Sequence, residues 1–397
     1  MILLYKISCV SAQLALPFDK VSCVSDVLLS EAKNKNKLIY FVLRSTCITF
    51  ALVMLKNILS EQERETLLTL IDEAENIIVC CHISPDGDAI GSTLGWTEYL
   101  QSLGKKVQII VPDHYPDFLH WLPNTEKILR YDKHPLEADA LIGDADLVFC
   151  LDLNDAKRMG ELGKAVVASQ AKRVMIDHHL NPLLDCELTI SHPEMSSTCE
   201  LVFRVVWQLG GFEQMKNHFA VPVYCGMMTD TGGFTYNSND PATFFIVSQL
   251  LTKGFDKDKI YRNVYNNYSE SRLRFMGYVM YEKLCVMPEL KASYFAFGRE
   301  EMERFHYIKG DAEGLVNMPL QIKGMKLSVS LREDTEVDNK IRVSLRSVDD
   351  FPCNKMAEMF FNGGGHLNAS GGELHCTLIE AIEKVKEAIS HFSDMLK

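Results

Sequence analysis

Apolar and polar positions along this chain follow two periods. Leucines and isoleucines recur at helical spacing through MLKNILSEQERETLLTLIDEA, from Met54, with acids on the other face. Short runs then appear that are apolar at nearly every position: NIIVCC at 76–81, KKVQIIV at 105–111, DLVFCLDL at 146–153 and RVMIDHH at 173–179. Such runs, bounded by polar residues, read as strands buried on both faces. With helical segments between them, the first reaching about Leu103, they predict an α/β domain built on a parallel sheet. Two further helices are expected, from Ser197 to about Leu209 and from about His218 to Met228. The second leads into the loop TDTGGF at 229–234.

Residues 255–285 carry Arg, Tyr and Asn at helical spacing and predict a helical connector. Beyond it SYFAFG, KLSVSLRED and KIRVSLRS alternate with turns. GGGHLNASGGEL and a closing helix from Leu378 to Lys397 follow, the pattern of a smaller α+β domain. The expected organisation is an N-terminal extension over 1–53, a sheet domain over 54–254, the connector over 255–285 and the second domain over 286–397.

The extension fits this plan poorly. Its apolar stretch from Leu38 to Leu55 approaches the length of a membrane span, but Arg44 sits near its middle beside Ser45 and Thr46. A signal peptide fits less well, because the basic residues follow a long leader and no small-residue cleavage site comes after the apolar core. The remaining reading, a start assigned too early, makes Met54 the expected beginning of the functional chain.

Length and charge narrow the function. A chain of 397 residues with 47% hydrophobic content supplies core for two domains. A net charge of −12 argues against coating long nucleic acid, which needs many basic contacts, and leaves short or mononucleotide phosphates open. The twelve cysteines are scattered, form no C-x-x-C pair and include the adjacent Cys80 and Cys81 in an apolar run. Reduced thiols in a cytoplasmic protein are expected, with no membrane association.

The chemistry lies at the strand ends, where parallel sheets gather ligands. His82, Asp86 and Asp88 pack an imidazole and two carboxylates into seven residues at a strand-to-helix turn. A polar loop with a helix-capping Asp is the plain alternative. Bare carboxylates this close repel, and divalent cations between them relieve the repulsion. A mixed imidazole and carboxylate set suits manganese, with iron, cobalt, zinc or magnesium as substitutes. Asp152 ends a very apolar strand, where an unpartnered carboxylate would cost several kcal/mol. Asp177, His178 and His179 end another, one histidine able to ligate while the Asp fixes its tautomer. Two metals roughly 3.5–4 Å apart could activate a water and hold the phosphoryl oxygens of an in-line displacement.

HISPDGDAIGS, LDLND, MIDHH and TDTGGF resemble, in order, the four motifs of the DHH phosphoesterase superfamily. Gly363, Gly364, Gly365 and His366 resemble the GGGH signature of the DHH-associated C-terminal domain found in NrnA-type oligoribonucleases and RecJ exonucleases. The resemblance covers about Met54 to the end. It implies that His82 and Asp86 hold one metal and Asp88, His178 and Asp230 the other, with Asp152 bridging. It further implies that His179 faces the substrate phosphate, that Asp177 orients a histidine, and that Arg346 and His366 reach substrate phosphates across a cleft. Ser197, at a helix start, suits a phosphate contact or a simple N-cap equally well, and Arg346 could instead form a surface salt bridge.

The implied activity is manganese-dependent hydrolysis of short oligoribonucleotides to mononucleotides, with 3'-phosphoadenosine 5'-phosphate as a further substrate. Its partners are short RNA or nucleotide, with a homodimer left open. A pyrophosphatase would lack GGGH, and a RecJ exonuclease would be longer. The alternatives are a cyclic-di-AMP phosphodiesterase and, in another class, a non-catalytic nucleotide-binding module.

Overall fold

The first helix is shorter than its amphipathic pattern. In the computed structural model, which describes residues 55–308 and 310–396, α1 spans Glu61–Glu73 and residues 55–60 precede it without helical structure. The Ser60 hydroxyl accepts from the Glu63 amide while the Glu63 carboxylate accepts from the Ser60 amide, and this capping box sets the start. The readings of residues 1–53, and of Met54 as the start, lie outside the described residues. Among those described, no helix is long and apolar enough to cross a membrane.

From Ile58 onward the chain forms one unit that holds both sheets. The first sheet uses β1 (Asn76–Cys80), β2 (Lys106–Val111), β3 (Leu129–Arg130), β4 (Leu147–Leu151), β5 (Lys172–Asp177) and β6 (Leu188–Ser191). All neighbours are parallel, in the order β3-β2-β1-β4-β5-β6. β3 and β6 are short and were not visible as apolar runs. The order reverses between β1 and β4, and at such a switch point the strand ends splay apart and leave a crevice.

Both faces of the sheet are covered. On one, Ile78, Cys80, Val148, Cys150 and Met175 pack against Ala138 and Ile142 of α3 (Pro135–Gly143) and Leu162 and Val166 of α4 (Glu161–Ala168). On the other, Trp96 of α2 (Gly87–Ser102) meets Phe149 edge-on at 5.1 Å. Also on the sheet domain lie α5 (Thr198–Gln208), α6 (Asn217–Asp230) and α7 (Pro241–Leu251). Helices α8 (Lys257–Tyr265) and α9 (Glu270–Tyr278) lead to the second sheet.

That sheet is mixed, ordered β11-β12-β10-β9-β8-β7, from β7 (Cys285–Met287), β8 (Ala292–Phe297), β9 (Leu327–Glu333), β10 (Lys340–Ser347), β11 (Gly364–Gly365) and β12 (Ala369–His375). Leu327, Val329, Leu331, Ile341, Val343 and Leu345 form a core with α11 (Cys353–Phe360) and α12 (Leu378–His391); the short α10 (Arg299–Arg304) follows β8. The closing helix ends at His391, and a further turn covers Ser393–Leu396. On the opposite face Phe295 and Phe297 of β8 form a second core with Phe275 and Val279, while β9 and β10 are polar in alternation there.

Candidate metal and phosphate site

The splayed ends of β1 and β4 deliver the first candidate ligands. The loop after β1 is pinned on both sides, with the Ile83 amide donating to the Arg158 carbonyl at 2.6 Å and the Ser84 amide to Asp113 Oδ1 at 2.6 Å. His82 Nδ1 donates to the Ile83 carbonyl at 2.8 Å, which leaves Nε2 as the free ligand nitrogen. Asp86 N-caps α2, its Oδ1 accepting from the amides of Asp88 and Ala89. Asp86 is therefore a helix cap that also stands within the candidate ligand cluster.

Glycines bring the remaining carboxylates in. A Cβ on Gly226 of α6 would lie 3.0 Å from the Gly87 carbonyl and 3.1 Å from Asp88 Cα, so α2 and α6 cross at backbone distance and set Asp88 beside Asp230. Both Asp88 oxygens sit on the start of α5, accepting from the amides of Thr198 at 2.7 Å and Cys199 at 2.9 Å. Asp152, just past β4, adopts φ 57°, a left-handed conformation unfavourable for a side chain that bears a Cβ. The Thr198 hydroxyl donates to its Oδ1 at 3.1 Å.

Six side chains thus meet as two triads. His82, Asp86 and Asp152 form one and Asp88, His178 and Asp230 the other, ligand atoms within 4.8 Å of each other in each. His82 Nε2 lies 3.3 Å from Asp152 Oδ2, while His178 Nε2 lies 3.6 Å from Asp152 Oδ1 and 3.5 Å from Asp230 Oδ2. Asp152 therefore offers one oxygen to each triad. His178 Nδ1 faces the Met195 carbonyl at 3.3 Å, again freeing Nε2.

Burial and mutual charge set the electrostatics of the cluster. Burial, then the charges of Asp152 and Asp230, push the Asp88 carboxyl well up. Burial, then Asp86 and Asp152, do the same for Asp230. Burial opposes charging His82, but the hydrogen bond to Asp152 and the charge of Asp86 override it and carry His82 to about 9. Burial would likewise raise Asp152, yet the His82 bond and three histidine charges hold it well below the usual carboxylate range. A donor set of imidazole nitrogens and mutually repelling carboxylates, with His82, Asp88, Asp152 and His178 buried and Asp86 and Asp230 open to the cleft, fits divalent cations.

Asp177 orients His179, not His178: His179 Nδ1 lies 2.8 Å from Asp177 Oδ1. His366, from the second domain, stacks on His179 with ring centroids 4.6 Å apart and lies 5.1 Å from the His178 ring. Burial and the two neighbouring histidines push His366 down to about 3, so it stays neutral. The glycines before it are required by close approach. A Cβ on Gly363 would fall 1.9 Å from the Gly371 carbonyl, and Gly365 has φ 137°, whereas Gly364 faces open space.

Arg346 forms no ion pair among the described residues; its Nη1 donates to the Leu345 carbonyl at 2.9 Å, and its charge lowers the Asp230 carboxyl. Ser197 is fully buried as the N-cap of α5, accepting from the Glu200 amide, and its hydroxyl does not reach the cleft. Sequence reasoning missed Arg158. Its Nη1 is buried without a hydrogen-bond partner, and its charge acts on both His82 and His366. The one available signal was a basic residue shortly after Asp152 on the same loop.

Known proteins share this architecture. The family model described as "DHH family, N-terminal domain" matches residues 76–227, and the DHHA1 domain matches 295–397. The bifunctional oligoribonuclease and PAP phosphatase NrnA of Thermus thermophilus is 29% identical over 321 residues, covering 79% of this chain and 89% of that protein. Its Bacillus subtilis counterpart is 26% identical over 315 residues, covering 78% and 92%. The crystal structure of an exopolyphosphatase-related protein from Bacteroides fragilis superposes with a TM-score of 0.81 at 50% identity, covering 85% of this chain and 98% of that one. The chain belongs to the DHH family, with a DHHA1 domain, and is a hydrolase acting on phosphate esters.

Proposed function

We propose that this hydrolase is a manganese-dependent phosphodiesterase that cleaves short oligoribonucleotides to mononucleotides and also acts on 3'-phosphoadenosine 5'-phosphate. The observation that carries this reading is the stacking of His366 on His179 at 4.6 Å. It sets the DHHA1 domain's GGGH loop against the ligand cluster, where a second anionic group of the substrate would be gripped. The Thermus and Bacillus relatives, named as oligoribonuclease and PAP phosphatase, support the same substrates. The mixed carboxylate and imidazole donors favour manganese.

His82, Asp86 and Asp152 would hold one ion and Asp88, His178 and Asp230 the other, with Asp152 shared. Bound there, the ions would supply Lewis-acid charge for the phosphoryl group and lower the pKa of water. Asp177 fixes the His179 ring so that Nε2 meets the phosphoryl group. Arg346, His366 and the unpartnered Arg158 guanidinium bind and orient the substrate phosphates. Ser197 serves as a helix cap in this mechanism.

A relative named cyclic-di-AMP phosphodiesterase GdpP, from Bacillus subtilis, is 24% identical, but the match covers only 49% of its length. No feature of the site favours a cyclic substrate, and a complete ligand set argues against a non-catalytic binding module. A panel of 5'-phosphorylated dinucleotide, pentanucleotide, 3'-phosphoadenosine 5'-phosphate, cyclic di-AMP and pyrophosphate, assayed with manganese, tests the reading. The dinucleotide should give the highest kcat/KM. A higher value for cyclic di-AMP or pyrophosphate would overturn it.

A further inference from the structure

The cleft wall opposite the metal-ligand loop is one face of the second sheet. Alternation along β10 sends Ile341, Val343 and Leu345 to the core and Arg342, Ser344 and Arg346 to the opposite face. On β9, Ser328, Ser330 and Arg332 share that face. The antiparallel register sets Arg346 across from Ser328, Ser344 across from Ser330 and Arg342 across from Arg332. The face therefore runs from Arg346, at the metal-ligand end, to an arginine pair four residues along β10, a span of about 13 Å.

A cavity of about 250 Å³ lies over the Ser330–Ser344 and Arg332–Arg342 part of this face, beyond Arg346. Ser84, Pro85 and Asp86 line it from the metal-ligand loop, and Ser330, Ser344, Arg332 and Arg342 from the sheet. Glu313 is the other carboxylate on its wall, and burial, then the charge of Asp86, pushes its carboxyl up to about 7.

The arginine pair is asymmetric. Arg342 is neutralised by Asp334 at 3.0 Å and Glu373 at 3.3 Å. Arg332 has no carboxylate partner among the described residues. Its Nη1 donates to the Tyr307 hydroxyl, and its guanidinium lies 5.7 Å from that ring. Tyr307 is itself wedged against Phe275 at 5.7 Å and Phe297 at 6.4 Å. An uncompensated cation is thus held in place by a rigid aromatic group, in a concave site of a chain with net charge −12. A plain solvated arginine needs neither the anchor nor the cavity.

We propose that Arg332, with the hydroxyls of Ser330 and Ser344, forms a distal phosphate subsite that reads the length of the oligonucleotide. The span from Arg346 exceeds one nucleotide step, so the phosphate reaching Arg332 belongs to a trinucleotide and not to a dinucleotide. This inference rests on the reading of the protein as an oligoribonucleotide hydrolase.

The test compares kcat/KM for 5'-phosphorylated tri- and dinucleotides in the wild type, Arg332→Ala and Arg332→Lys. In Arg332→Ala the tri-to-dinucleotide ratio should fall about tenfold, mainly through KM, the size of one charge-assisted phosphate contact. Arg332→Lys should recover much of the ratio, and the dinucleotide rate of each preparation reports its folding. An unchanged ratio in Arg332→Ala that still cleaves dinucleotide overturns the subsite and leaves the enzyme reading intact. A wild type that cleaves neither nucleotide, yet cleaves another phosphate ester, overturns both.

Discussion

Asp152 joins the two halves of the ligand cluster, and its backbone shows what that requires. Its φ of 57° turns the chain sharply past β4, a conformation held by the amide's bond to the Ile176 carbonyl and the Thr198 hydroxyl's bond to Oδ1. His82 beside it carries a pH dependence. His82 is raised from 6.5 to about 9 in the metal-free protein, so below about 9 it holds a proton that a cation must displace. Apparent manganese affinity should therefore rise with pH up to about 9 and level off above it, with proton release on loading in weakly buffered solution. Affinity that is flat with pH would contradict this picture. The clustering of these candidate ligands was legible in the sequence because carboxylates at the ends of apolar strands are conspicuous. The free nitrogen of each histidine was not, because it depends on carbonyls such as Met195 that only the fold brings near.

At the scale of elements, the crossing of α2 and α6 places Asp88 and Asp230 together. It depends on Gly87, Gly91 and Gly226, positions whose meaning lies in a contact between distant segments and so escapes a reading of either alone. A methyl at Gly226 would meet Cys199 Sγ at 2.2 Å and the Gly87 carbonyl at 3.0 Å. Gly226→Ala should destabilise by about 1–3 kcal/mol. Adding Cys199→Ala should recover part of that loss in thermal melts, because the sites touch. Full additivity of the two changes would argue against this packing. The central strands announced themselves as continuous apolar runs buried on both faces. The two-residue β3 and β11 carry too few positions for any period to register, and the start of α1 was decided by the Ser60–Glu63 box and not by the hydrophobic pattern that overruns it.

For the whole molecule, two sheets divide the labour. The parallel sheet gathers the candidate ligands at its switch point, and β9 and β10 of the mixed sheet turn polar side chains to the cleft, with His366 stacked on His179. The motif order in the sequence was enough to pair these domains. The Arg158 guanidinium and the Arg332 cavity were not legible, since an arginine's surroundings are set by tertiary contacts and its residue type alone reads as a solvated charge. The central claim is that the six-residue cage holds the cations that drive phosphodiester hydrolysis. Its most direct test is hydrolysis of a 5'-phosphorylated dinucleotide by metal-stripped protein, before and after manganese is restored, alongside metal content and the same assay on Asp152→Asn. The account predicts no hydrolysis without metal, full recovery with manganese, and neither recovery nor full metal content in Asp152→Asn. Undiminished hydrolysis by the stripped protein, or by Asp152→Asn, would contradict it.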